Sequence, residues 1–108
     1  MSAPNPTLAH LAAALSEEDV RELVRIFLQE FPTLHRMLAS GDRRQCYLAA
    51  HSLKSSAQHM GLGALADRLA GLESHLEEPG SSVTPDDLRG VLRDFEQEAG
   101  SLRDFAGE

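Results

Sequence analysis

The sequence predicts an all-α protein, an antiparallel four-helix bundle with a short additional helix at the N-terminus. Four stretches place apolar residues three and four positions apart, which is the spacing of one face of a helix. The composition favours helix, with no tryptophan and a single tyrosine. No stretch alternates apolar and polar residues as a half-buried strand does. Four amphipathic helices with short links bury their apolar faces only against one another, which predicts the bundle.

The first two helices occupy the N-terminal third of the chain. Residues 7–15 form the short first helix. Ser16 then begins a Ser-x-x-Asp start that resembles a capping box, with acidic residues in the first turn. The stripe of the second helix consists of Val20, Leu23, Val24, Phe27, Phe31, Leu34 and Leu38. Ser40 and Gly41 end this helix.

The remaining three helices are delimited by caps and glycines. Asp42 caps a third helix that runs from Arg43 to about Met60 and is stopped by Gly61. The fourth helix carries Leu62, Leu65, Ala66, Leu69, Leu72 and Leu76 and ends in the loop EEPGSSV. The run Thr84-Pro85-Asp86-Asp87 begins the last helix, since it offers a cap, a proline at the first position and acids in the first turn. Its stripe is Leu88, Val91, Leu92, Phe95, Ala99, Leu102 and Phe105.

Length and composition bound the class of protein. A chain of 108 residues makes one domain, and we expect residues 1–6 to be a flexible N-terminus. The single cysteine, Cys46, excludes an internal disulfide and favours a reducing compartment. The N-terminus has no signal-peptide pattern, and no run approaches the ~20 apolar residues of a membrane span. We therefore expect a free-standing cytoplasmic monomer that does not enter the membrane.

The charge distribution excludes one class of partner. The formal net charge is −7. Residues 35–68 carry five basic and two acidic residues, whereas the rest of the chain carries five basic and fifteen acidic residues. An acidic protein binds nucleic acid poorly, because its negative charge is repelled by the negatively charged phosphate backbone. We expect no nucleic-acid partner.

The third helix carries the chemistry. At about 100° per residue, its core stripe comprises Cys46, Ala49, Ala50, Leu53, Ala57 and Met60. His51 points away from this stripe, at about 140°, with Lys54 at about 80° and Gln58 at about 120°. Arg44 and Ser55 lie farther round, at about 160° and 180°. The same outer half carries two apolar residues, Tyr47 and Leu48.

This arrangement suits a histidine that carries a phosphoryl group. An unperturbed imidazole titrates near pH 6.5, so a neutral nucleophilic nitrogen is available at neutral pH. Lys54 can offset charge on phosphoryl oxygens, and Gln58 and Ser55 can donate hydrogen bonds. Taken alone, however, an exposed histidine is usually an ordinary surface residue. Tyr47 and Leu48 can equally pack under the N-terminal helix.

Residues 50–61 carry a resemblance that favours the phosphoryl interpretation. They have the sequence A-H-S-L-K-S-S-A-Q-H-M-G, and a leucine-rich stretch ending in Leu-Glu follows through Glu73. This is similar to the signature A-H-x-L-K-G-S-A-x-x-x-G of histidine-containing phosphotransfer (HPt) domains, which also precedes a leucine-rich helix. The similarity is strongest over these 24 residues, and the bundle layout extends it over most of the chain.

The resemblance implies a role for each matching residue. His51 would accept the phosphoryl group on the ring nitrogen farther from the backbone, and Lys54 would steady the phosphoryl oxygens. From their position on the outer half of the helix, rather than from the resemblance, we expect Gln58 and Ser55 in the site and Arg44, Tyr47 and Leu48 on the docking surface. One departure stands out, because Ser55 occupies the position of the family's glycine and reduces the space left for a docking partner.

The resemblance also implies the partners. They would be the receiver domains of response regulators and a hybrid sensor histidine kinase. The receiver domain would bring the aspartate and the divalent metal, so the chain needs no cofactor of its own. The chain has no P-loop or glycine-rich nucleotide motif, and His51 does not open the H-E-x-x-[TN]-P pattern of kinase dimerisation domains. We therefore expect a phosphocarrier without autokinase activity.

Two rival functions remain at the level of sequence. A metal-binding bundle could use the five histidines, but no two of them lie three or four residues apart, and His51 and His59 are about 12 Å apart along the helix axis. No Glu-x-x-His pair suggests a carboxylate-bridged site. The second rival is an HPt-like interaction bundle in which His51 is never modified.

Overall fold

The computed structural model describes residues 5–107, which contain five α-helices and no strand. The helices are α1 Pro6–Ala14, α2 Glu17–Leu38, α3 Arg43–His59, α4 Gly63–Leu76 and α5 Pro85–Ala106. The all-α fold class and the order of elements predicted from the sequence are confirmed. No helix among these residues has the length and apolar character needed to cross a membrane.

The four long helices close into a bundle. α3 packs between α2 and α4, and α5 closes the bundle by packing on both α2 and α4. The short connections after α2 and α3 make these neighbours antiparallel. The fully buried leucines at the centre of the core are Leu38, Leu53, Leu65, Leu69, Leu76 and Leu102. Leu53 on α3 and Leu69 on α4 thus hold these two helices face to face.

Side-chain caps fix the helix starts at the predicted places. Ser16, Asp42 and Thr84 each accept a hydrogen bond from a backbone N–H of the first turn, and such a cap contributes about 1 kcal/mol. The N-cap of α4 is Leu62, whose side chain cannot accept a hydrogen bond. Instead, the backbone N–H of Leu65, in the first turn of α4, donates to Glu98 Oε1 of α5 at 2.8 Å.

The start of α1 differs from the sequence prediction. Asn5 and Pro6, expected to belong to a flexible terminus, are the N-cap and the first residue of α1, while residues 1–4 of that prediction lie outside the described residues. The Asn5 side chain accepts from two first-turn N–H groups and donates from Nδ2 to the Met60 carbonyl at 2.8 Å. Leu8 is buried in the core. These contacts anchor α1 across the turn between α3 and α4.

Two residues of the predicted core stripes are exposed. Leu23 precedes the fully buried Val24, and Leu92 follows the fully buried Val91. One residue along a helix turns the side chain by about 100°, so each leucine falls at the edge of its buried face. Leu23 remains 42% exposed beside α3, and Leu92 remains 39% exposed on α5.

Candidate functional site

His51 lies in the middle of α3 with its ring directed away from the core. Its neighbours Ala50 and Leu53 are fully buried, and the helical rotation between them and His51 directs the imidazole outward. The His51 side chain is 59% exposed. The outward orientation predicted from the spacing is therefore what the structure has, and another protein can reach the ring.

A carboxylate from α4 holds one nitrogen of this ring. Glu73 Oε2 lies 3.1 Å from His51 Nδ1, and the Glu73 side chain is only 13% exposed. An ionised carboxylate only accepts hydrogen bonds, so this contact assigns the ring proton to Nδ1. In the neutral tautomer that has its proton on Nδ1, Nε2 carries the lone pair, on the side of the ring away from Glu73.

The same carboxylate also binds Lys54. The Lys54 ammonium lies 3.1 Å from Glu73 Oε1 and 3.0 Å from Oε2, so it bridges both oxygens. Burial acts to raise the pKa of the Glu73 carboxyl, but the hydrogen bonds and positive charges of Lys54 and His51 outweigh burial and hold its pKa below the ordinary value of 4.5. Glu73 is therefore ionised at neutral pH and orients both partners.

The predicted site residues on α3 are only partly brought together. Lys54 lies one turn from His51, and the two meet through Glu73. Ser55 is half-buried, one turn from His51 on the side away from Glu73. Gln58 is exposed but lies seven residues farther along, about 10 Å along the helix axis.

Tyr47 and Leu48 occupy different surroundings. The Tyr47 ring is half-buried against the core and lies parallel to the His51 ring, with 6.4 Å between ring centroids and 9° between planes. It lines a surface notch together with Leu76 and Glu77, at the end of α4. Leu48 is 45% exposed. Tyr47 thus supports the histidine ring, while Leu48 offers apolar area to solvent.

Reasoning from the sequence missed Glu73 as a site residue, although it ends the matching stretch. A usable signal was present in the register of the two helices. His51 lies eight residues before the end of α3, and Glu73 lies ten residues after the start of α4. Because a short turn joins these antiparallel helices, residues at similar distances from the turn face each other. That register brings residues 51 and 73 together.

The exposed large apolar side chains are concentrated in the first half of the chain. Four of the five large apolar residues that are exposed within residues 5–107 lie between the end of α1 and the first half of α3: Leu15, Leu23, Ile26 and Leu48. On α2, Leu23 and Ile26 are three residues apart and so lie on one face. Their position beside α3 makes this face suitable for contact with another protein.

Other surface features lie away from His51. A groove of about 810 Å³ between α4 and α5 is floored by Leu72 and Val91 and does not include His51, Lys54 or Glu73. Within residues 5–107, no three His, Cys, Asp or Glu side chains converge in a way that could hold a metal ion. The chemistry of the described surface therefore centres on the His51 ring.

The fold and the site together define a class of protein. The bundle presents an exposed imidazole that a carboxylate orients, which is an arrangement suited to passing a group between proteins. A family model described as "Hpt domain" matches residues 22–104. A search of curated proteins and a search of solved structures each gave no match.

The chain belongs to the Hpt domain family, because the family model covers most of its length. Domains of this family carry phosphoryl groups in two-component phosphorelays, where they work with kinases and response regulators. The resemblance drawn from residues 50–61 is confirmed at the level of the family.

Proposed function

We propose that His51 accepts a phosphoryl group from the aspartyl phosphate of a receiver domain and passes it to the aspartate of another. The observation that carries this proposal is the exposed ring of His51, whose Nδ1 is held by Glu73 and whose Nε2 is thereby left free for attack. In this proposal a hybrid sensor histidine kinase supplies the phosphoryl group upstream, and the protein works as a monomer in the cytoplasm.

The proposed transfer step forms one bond, breaks one bond and needs no further proton donor or acceptor. The lone pair of His51 Nε2 attacks phosphorus, an N–P bond forms, and the P–O bond to the donor aspartate breaks to release its carboxylate. The ring keeps the proton on Nδ1 and becomes positively charged as the N–P bond forms. The ionised Glu73 carboxylate, already bonded to Nδ1, stabilises that charge without having to reorganise. The reverse step returns a neutral imidazole.

Lys54 has a second task in this mechanism. In the described structure its ammonium neutralises Glu73. An incoming phosphoryl group brings further negative charge within reach of the flexible lysine side chain, whose three donors can be shared between Glu73 and the phosphoryl oxygens. Lys54 thus offsets the phosphoryl charge, and Glu73 retains its bond to the ring.

The partner covers the site from the side of α1, α2 and α3. Leu48, Leu23 and Ile26 supply apolar contact area beside His51. Ser55 and Gln58 lie on the same side and can donate hydrogen bonds to the partner or to the phosphoryl group. The receiver domain supplies the divalent metal of the reaction, so that the chain needs no cofactor of its own.

Transfer from a phosphorylated receiver domain tests this function. We expect acid-labile, base-stable label on the wild-type protein and none on His51→Gln. Incubation with ATP alone should leave both unlabelled, because the chain carries no nucleotide-binding motif. Label on neither protein, across several receivers that do label a known HPt domain, would identify an interaction bundle that is never phosphorylated. Equal label on both would show that a residue other than His51 is the acceptor.

A further inference from the structure

Among residues 5–107, Arg44 is the one Lys or Arg side chain without a partner. All ten Lys and Arg residues lie in the described part of the chain, and nine of them make a hydrogen bond, an ion pair or a contact with an aromatic ring. Arg44 makes none with residues 5–107. The adjacent Arg43, in contrast, donates to the Leu76 carbonyl at 2.9 Å and so caps α4.

The position of Arg44 has no role in stabilising its own helix. It is the second residue of α3, whose first turn contains no acid. The backbone N–H groups at this end give it a positive potential, which disfavours a cation. Asp42 already caps the helix through the Gln45 N–H. A cation is therefore placed where folding alone would select against it.

Arg44 borders a shallow notch beside the phosphoacceptor. The notch has a volume of about 380 Å³ and is lined by Arg43, Arg44, Tyr47, Leu76 and Glu77. The Tyr47 ring, stacked on His51, forms its wall toward the site. The Tyr47 hydroxyl makes no hydrogen bond within the described residues. The notch thus offers a guanidinium and a phenolic hydroxyl, both unpaired.

A partner centred on His51 reaches this notch. Arg44 and His51 are seven residues apart on the same face of α3, about 10 Å along the axis. A protein interface of ordinary size covers about 800 Å² of each partner, which corresponds to a disc of about 16 Å radius. A receiver domain of this size that is centred on His51 therefore covers the notch as well as the side of α2.

We propose that the notch binds a carboxylate side chain of the receiver domain, through the guanidinium of Arg44 and the hydroxyl of Tyr47. This inference rests on the proposed function and specifies how the partner is chosen. A guanidinium binds a carboxylate with two parallel hydrogen bonds, which fixes orientation as well as charge. Arginine and tyrosine are also the residues that most often dominate the free energy of an interface. The acid discriminates among receivers and takes no part in phosphoryl transfer.

Charge reversal tests the notch. The variant is Arg44→Glu, and the matched control is Arg93→Glu, which makes the same change of charge on the exposed surface of α5. Initial rates of transfer are measured against the concentration of the phosphorylated receiver domain that labels the wild-type protein fastest. We expect Arg44→Glu to raise the half-saturating receiver concentration by about tenfold and to change the maximal rate of transfer much less. Arg93→Glu should behave as wild type.

Two further measurements identify the occupant. The difference between Arg44→Glu and wild type should shrink as salt approaches 1 M, where charges are screened beyond about 3 Å. Single Asp→Lys and Glu→Lys replacements on the docking surface of that receiver should include one that restores transfer to Arg44→Glu and impairs transfer to the wild-type protein.

The outcomes separate this inference from the proposed function. If wild type is labelled and Arg44→Glu matches Arg93→Glu, the notch plays no part in docking, while the function of His51 stands. If no receiver replacement restores transfer, the occupant is not a receiver carboxylate. If Arg44→Glu instead dissociates a dimer detected by sedimentation, the occupant is a second copy of this chain, and the inference is wrong. If no receiver labels the wild-type protein, the proposed function fails and the inference fails with it.

Discussion

Replacing Glu73 by glutamine tests the mechanism at its centre. The amide keeps the shape of the side chain and one oxygen that can accept from His51 Nδ1, but it removes the negative charge. A hydrogen bond to a charged group contributes about 1.5–3 kcal/mol. If most of that free energy develops as the ring becomes cationic, the rate of transfer should fall by about 10- to 100-fold, since about 1.4 kcal/mol corresponds to a factor of ten.

The assay is single-turnover transfer from a saturating phosphorylated receiver, stopped by rapid quench. Saturation removes differences in docking, so that the rate reports the chemical step. Glu96→Gln on α5 is the matched control, because it removes one acidic charge from an exposed position. His51→Gln sets the background. A rate for Glu73→Gln within about twofold of wild type would refute the idea that this carboxylate stabilises the charged ring.

The Lys54 ammonium complicates a single substitution, because it loses its partner when Glu73 is neutralised. A freed lysine can interact more strongly with the phosphoryl group and conceal part of the loss. Lys54→Met and the double variant close a double-mutant cycle. We expect the effect of Glu73→Gln to be larger in the Lys54→Met background, and a smaller effect there would contradict this account of Lys54.

The remaining predictions concern the stability and fit of α3 and its neighbours. Gly61→Ala should lower the free energy of unfolding by more than about 1 kcal/mol in thermal denaturation. The reason is that Gly61 has φ +73° and that an added Cβ would approach Asn5 Oδ1 to 2.6 Å. Unchanged stability would mean that α1 is not anchored there. Ser55→Gly should lower the half-saturating receiver concentration while lowering stability by about 1 kcal/mol, and an unchanged concentration would show that Ser55 does not restrict docking. Glu73 should stabilise the fold fully above pH 4.5 and lose that contribution as the pH falls through its lowered pKa. The difference in unfolding free energy between wild type and Glu73→Gln should therefore shrink on acidification, and a constant difference would contradict the pKa shift.

The fold was predictable because its determinants are local. Ser16, Asp42 and Thr84 cap helices where the sequence placed them, and glycines and prolines mark the ends. The start of α1 was not predictable in the same way. Asn5 is held by the Met60 carbonyl, 55 residues away, and nothing in residues 1–6 alone indicates that contact.

The site also combines features that local sequence determines with features that depend on contacts between helices. The outward direction of His51 follows from the rotation of a single helix, and spacing sufficed to predict it. Glu73 acts across the α3–α4 pair, and its role depends on the register of two helices. Arg44 has no hydrogen bond, ion pair or ring contact with residues 5–107, and this is recognised only when the contacts of the other Lys and Arg residues are known. Sequence spacing located the candidate phosphoacceptor and its outward direction, while its contacts required the assembled bundle.

The three charged or ionisable groups of the site form a unit that suits transfer in both directions. At rest, the ionised Glu73 is bonded to both the Lys54 ammonium and the His51 ring. After phosphorylation, the ring is positive and the phosphoryl group negative, so Glu73 can stabilise the ring while Lys54 offsets the phosphoryl oxygens. In the proposed mechanism, Glu73 and Lys54 thus serve the phosphorylated state, and the same two groups remain paired once the phosphoryl group is released.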